Sequence, residues 1–143
     1  MLEKDYVKIV LNALTNAGLY AEQKETPRTV GGHYRKKQPV DLVIQSPKAT
    51  WNVEVKRTYK DNGKLFYWKT LRTDQSIALA NIYARGLSCG LLICWDNDKY
   101  TYLEFDELSE YCTGLSLKIK DLPENKVLTL SQLVGWFHGK KVN

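Results

Sequence analysis

Residues 38–59 read QPVDLVIQSPKATWNVEVKRTY. Two apolar runs, PVDLVIQ and TWNVEVKRTY, are joined by SPKA, a turn-like link containing proline. Each run has the length and the β-branched content of a strand. Side chains alternate along a strand, so Val53 and Val55 point one way while Asn52, Glu54 and Lys56 point the other. The valines can enter a core. Glu54 and Lys56 then project together from the opposite face, which need not be solvent. Asp41 lies at the start of the first run, thirteen residues before Glu54. If the runs pair as a hairpin, the tail of the first opposes the head of the second, and Asp41 approaches the Glu54–Lys56 end.

Upstream, EKDYVKIVLNALTNAG places Val7, Val10, Leu11 and Leu14 on one helical face, stopped by Gly18. Glu3 stands on the same side one turn before Val7, where an acid also suits the helix dipole. LYAEQKET reads as a short strand, and PRTVGGHYRKKQP, without periodicity, as a mobile loop. Downstream, TDQSIALANIYARG reads as a helix capped by Thr73 or Asp74 and ended by Gly86. CGLLICW is a near-continuous apolar run, as expected of an internal strand. KYTYLEF alternates and reads as its neighbour across the NDK turn. Thr129 and Gln132 have capping-box spacing before an apolar stripe of Leu130, Leu133, Val134 and Phe137. The order of elements predicts one α/β domain over residues 1–143, a mixed sheet with helices on its faces.

Length and charge narrow the function. A chain of 143 residues holds one sizeable core. No apolar run approaches the about 20 residues of a membrane span. MLEKDYVK contains acids and lacks an apolar h-region, so a cytoplasmic protein is expected. Residues 28–72 carry eleven Lys and Arg against three acids, a net +8 in a chain of +5, which leaves −3 elsewhere. That asymmetry suits either a polyanion-facing surface, nucleic acid foremost, or a solvated basic face. The cysteines (Cys89, Cys94, Cys112) form no CxxC, and His33 and His138 are the sole histidines, which argues against a Cys/His zinc site. Cys89 and Cys94 lie in apolar sequence, as buried thiols do.

Two carboxylates beside a lysine are what metal-assisted phosphodiester hydrolysis requires. Asp41 and Glu54 can hold Mg²⁺, a hard cation that prefers oxygen, and the Val55 carbonyl can supply a further ligand. The ion stabilises developing charge on the phosphate, and Lys56 can orient the attacking water or neutralise the oxyanion. The triplet recurs as Glu22–Lys24 and Glu124–Lys126, but those two sit in polar sequence with no apolar strand around them. The alternative for Glu54–Lys56 is an exposed cross-strand ion pair, which would stabilise little.

With these residues in hand, the chain resembles the PD-(D/E)xK nuclease superfamily, and within it the archaeal-type Holliday junction resolvases. The features carrying the likeness are Glu3, the basic loop PRTVGG, Pro39-Val40-Asp41, Glu54-Val55-Lys56 and Gln75 in TDQSIALA. The approach KLFYWKTLRTDQ and the later CGLLICW, KYTYLEFDEL and LSQLVGWF follow in the expected order. Val40 separates the proline from the aspartate, and the loop has Thr29 where the family often has serine. The resemblance implies a restriction-endonuclease-like fold and a Mg²⁺- or Mn²⁺-dependent endonuclease acting on branched DNA. Asp41, Glu54 and the Val55 carbonyl would bind the ion, with Glu3 a third acid and Lys56 the water-orienting group. Gln75 would contact a water of the ion or hold Lys56, unless it simply caps its helix. DNA would be contacted by Arg28, Thr29, His33, Arg35, Lys36, Lys37, Arg57, Lys60, Lys69 and Arg72. Paired nicks on a four-way junction imply a C2 homodimer. Trp136 and Phe137 suit either its surface or the domain's own core.

Two rival readings share these residues. One is a restriction-like, repair or RNA-directed nuclease of the same superfamily. The other is a binding module in which Trp51, Tyr59, Phe66, Tyr67 and Trp68 hold nucleic acid without cutting it. Acids beside phosphates disfavour the second, because carboxylates repel the backbone unless a cation intervenes.

Overall fold

The computed structural model describes residues 1–24, 40–47 and 49–139. Helix α1 (Glu3–Asn16) leads into strand β1 (Tyr20–Gln23), followed by β2 (Leu42–Gln45) and β3 (Thr50–Arg57). Then come β4 (Leu65–Tyr67), α2 (Thr73–Ala84), β5 (Ser88–Trp95) and β6 (Lys99–Glu104). The chain closes with α3 (Leu108–Tyr111), β7 (Ser116–Lys118) and α4 (Leu130–Phe137). A five-stranded sheet runs in the order β1-β2-β3-β5-β6, and β4 pairs with β7 in a separate ribbon. β3 and β5 are parallel, joined by a crossover that contains α2; the other neighbours in the main sheet are antiparallel. This is the expected mixed sheet with helices on its faces.

The alternation in β3 sets the two cores. Val53 and Val55 are fully buried with Val10 and Leu14 of α1, Leu92 of β5 and Phe137 of α4. The opposite face packs Leu91, Ile93 and Trp95 of β5 against Phe66, Leu103 and Leu117. α2 covers the neighbouring part of that second face with Leu79 and Ile82, packed on Val40 and Cys89. Each fully buried aliphatic side chain contributes about 1.5–3 kcal/mol. A slip of one residue in β3 would drive Glu54 and Lys56 into the α1–α4 core, so the hydrophobic pattern fixes the register.

Three expectations change. Helix α2 is capped at Arg72, whose backbone is extended, rather than by a Thr73 or Asp74 side chain; the Gln75 Oε1 accepts the Arg72 N–H at 3.0 Å. β6 does not alternate in burial: Tyr100, Thr101, Tyr102 and Leu103 are all buried, because α4 covers one face and the Phe66–Leu117 cluster the other. Thr101 is accommodated by accepting the Trp95 Nε1–H at 2.8 Å. Finally, Leu133 and Phe137 of α4 are fully buried, and Trp136 packs on Trp51 and Tyr102. The final helix thus serves the domain's own core, which leaves Phe137 no area to offer a second copy.

Candidate active site

β2 begins at Leu42, opposite Val53, so β3 runs on beyond its neighbour. The residues of β3 that face that edge, Val55 and Arg57, would leave orphan backbone donors there. Two acids take them. The Asp41 Oδ2 accepts the Val55 N–H at 2.8 Å, and the Glu3 Oε1 accepts the Arg57 N–H at 3.3 Å. A strand residue turns its N–H and C=O to the same edge, so the Val55 carbonyl opens between these carboxylates. Asp41 is itself clamped: its N–H donates to the Val53 carbonyl at 3.1 Å, and its own carbonyl accepts the Lys24 N–H at 2.8 Å.

Glu54 and Lys56 lie on the α2 face and are 3 % and 7 % exposed, which excludes an ordinary solvent-exposed ion pair. The Asp41 carboxyl lies close enough to Glu54 to raise its pKa. Gln75, at the start of α2, donates from Nε2 to Glu54 Oε1 at 2.7 Å. The same amide therefore caps its helix and fixes Glu54, rather than holding Lys56 as the resemblance allowed. Lys56 Nζ stands 3.9 Å from Glu54 Oε1, beyond hydrogen-bond length. The other Glu-x-Lys triplets serve the surface: Glu22 pairs with Lys24, and Lys126 pairs with Glu107 instead of Glu124.

Burial pushes the Glu54 carboxyl up to about 9; the Asp41 carboxyl and, more weakly, Glu3 add to this against Lys56. Burial also raises Glu3, with Lys56 opposing. Burial and the neighbouring acids thus favour the protonated form of Glu54 despite Lys56 at 3.9 Å. Among the described residues no three His, Cys, Asp or Glu side chains form a ready-made metal cluster. The donors that do converge are the Asp41 and Glu54 carboxyls beside the Val55 carbonyl, with Glu3 held one residue pair along the edge. That all-oxygen set fits a hard divalent cation such as Mg²⁺ or Mn²⁺. A cation there would also offset the like-charge repulsion that adds to burial in raising Glu54.

The predicted nucleic-acid contacts divide. Arg28, Thr29, His33, Arg35, Lys36 and Lys37 lie outside the described residues. Lys60, Lys69 and Arg72 are exposed, and the Arg72 charge is felt at Glu54 and Glu3. Arg57 is turned inward: its guanidinium covers the Tyr59 ring at 3.7 Å and approaches Asp96 at 3.9 Å. Of the aromatics offered for a binding module, Trp51 and Phe66 are buried in the two cores, whereas Tyr59 is 58 % exposed.

No family model and no curated protein matches the chain. Among solved structures, Hjc from Archaeoglobus fulgidus, a Holliday junction resolvase from an archaeal hyperthermophile, superposes with a TM-score of 0.60. The alignment covers 93 % of this chain and 98 % of that one at 18 % identity. This chain shares the resolvase fold. The likeness extends over nearly the whole chain, not the β2–β3 hairpin alone.

Proposed function

We propose that this protein is a divalent-cation-dependent, structure-selective DNA endonuclease that resolves four-way junctions by paired symmetric nicks as a homodimer. The observation that carries the reading is the meeting of Asp41 and Glu54 at the open edge of β3, where a buried glutamate holds a proton beside a second carboxyl. The shared fold supports the substrate class, since the similar protein is a Holliday junction resolvase. The basic segment supports it independently.

Asp41, Glu54 and the Val55 carbonyl would hold the ion, with Glu3 at its margin. When bound, the cation stabilises charge on the scissile phosphate and makes water easier to deprotonate. Asp41 and Glu3 keep the β3 edge in place through its backbone N–H groups. Gln75 holds the Glu54 rotamer. Lys56 directs its ammonium to the attacking water or to the phosphate oxygens, and its burial strengthens that interaction. The basic loop, with Lys60, Lys69 and Arg72, would bind the DNA backbone.

The test compares cleavage of a four-way junction, a flap and a linear duplex at one salt concentration with Mg²⁺. The junction should be cut fastest. Asp41→Asn and Glu54→Gln should abolish cleavage while junction binding persists or tightens. Full activity in either variant refutes the site, and equal rates on the three DNAs refute the branched-substrate assignment.

A further inference from the structure

Tyr59 lies two residues past the end of β3 and is an exposed aromatic near the proposed site. Its ring is covered on one face by the Arg57 guanidinium at 3.7 Å from the ring centre, yet the residue remains 58 % exposed. The exposed area therefore belongs to the opposite face and the edges. Arg57 is deeply seated. Its Nε and Nη1 are buried without a hydrogen-bond partner, and its charge is met by the rings of Tyr59 and Tyr6 and, at 3.9 Å, by Asp96. A cation held this way over an aromatic face fixes the ring's orientation.

The turn behind Tyr59 is rigid as well. Asp61, Asn62 and Gly63 have positive φ values of 52°, 54° and 76°. The Gly63 and Leu65 N–H groups return to the Lys60 carbonyl at 3.0 and 3.2 Å, and Thr58 Oγ1 donates to the Leu65 carbonyl. The Gly63 carbonyl accepts the Asp96 N–H at 3.3 Å, and a Cβ on Gly63 would run into the Asp96 carboxylate. Tyr59 thus stands on a braced turn flanked by exposed Lys60 and Lys64. A solvent-facing aromatic, fixed in advance and bordered by lysines, is what a stacking contact with a nucleic-acid base needs.

We infer that the open face of Tyr59 is a stacking platform for an unpaired nucleobase next to the scissile phosphate; this rests on the nuclease reading above. Tyr59 lies four residue steps beyond Val55, at most about 14 Å. A base seated there belongs to a nucleotide close to the one whose phosphate meets Asp41 and Glu54. A branch point interrupts base stacking and lets a base there be drawn out, which continuous duplex resists, so Tyr59 would contribute to structure selection.

The test measures equilibrium binding of the full chain in EDTA, where the proposed chemistry is silent, to a blunt duplex and to the same duplex with an unpaired 2-aminopurine bulge. Wild type should quench the bulge fluorescence. Tyr59→Ala should lose the quenching and weaken bulge binding by about 5- to 150-fold, with blunt-duplex binding unchanged. Tyr59→Phe should behave as wild type. Tyr59→Leu, which keeps an apolar cover over Arg57, should match the alanine variant and guards against a folding defect. Equal losses on both DNAs, or no loss on either, overturn the inference. A chain that shows the stacking signal yet cuts no DNA refutes the nuclease reading instead.

Discussion

Binding of Mg²⁺ should expel a proton, and Glu54 is its source. The structure places the Glu54 carboxyl at about 9 in the metal-free chain, through burial and the neighbouring Asp41. At pH 7 only about one Glu54 in a hundred is then ionised. Ligation requires the carboxylate, so ion binding should release about one proton per site, and the observed Kd should fall about tenfold per pH unit between pH 6 and 8. Isothermal titration calorimetry in buffers of different ionisation enthalpy counts the protons directly. The slope of enthalpy against buffer ionisation enthalpy should be close to one at pH 7 and smaller at pH 9. Glu54→Gln has no proton to lose and should flatten the slope. A wild-type enthalpy independent of buffer, or a release that survives in Glu54→Gln, would refute the reasoning about this carboxyl pair.

The same shift has a consequence for stability without metal. Glu54 binds its proton more tightly in the folded chain, at about 9 against 4.5, and burial displaces Glu3 and Glu104 in the same direction. The folded state therefore carries more bound protons on these groups between these limits, so the stability they contribute is fully present below pH 4.5 and is lost as pH rises toward 9. Glu54 alone accounts for a loss on the order of several kcal/mol. Urea denaturation in EDTA across this range should show a falling midpoint, removed by Glu54→Gln; a midpoint that rises with pH sinks the assignment. Gln75→Ala removes the bond to Glu54 and the acceptor for the Arg72 N–H, and should cost about 1–3 kcal/mol in the same assay. An unchanged midpoint there would mean that water replaces the amide at no loss.

Much of this arrangement is legible in local sequence. The period of two in residues 50–57 separates Val53 and Val55 from Glu54 and Lys56, and burial of the valines enforces that division. The apolar run of β5 announces a strand covered on both faces, and Thr129 with Gln132 forms the predicted cap, Gln132 N–H to Thr129 Oγ1 at 3.2 Å. The hairpin argument also brings Asp41 to the end of β3 where Glu54 lies. These features are encoded by spacing along the chain, which is why periodicity and turn chemistry find them.

Other features depend on contacts between distant segments. That Gln75 holds Glu54 as well as capping its helix is not readable from TDQSIALA; α2 must dock on the β3 face before one amide can do both. KYTYLEF has an alternating pattern, yet β6 is covered on both sides because α4 and the Phe66–Leu117 cluster arrive from elsewhere in the chain. Trp51, Tyr59 and Phe66 are equivalent as aromatic letters in a basic segment, and packing leaves Tyr59 with an open face. The sequence by itself determined the strand faces and the placing of the helices along the chain, since each follows from near neighbours and backbone periodicity. Tertiary structure alone decided the protonation of Glu54, the second role of Gln75 and which ring meets solvent, because burial and electrostatic coupling arise only once remote elements close around a side chain.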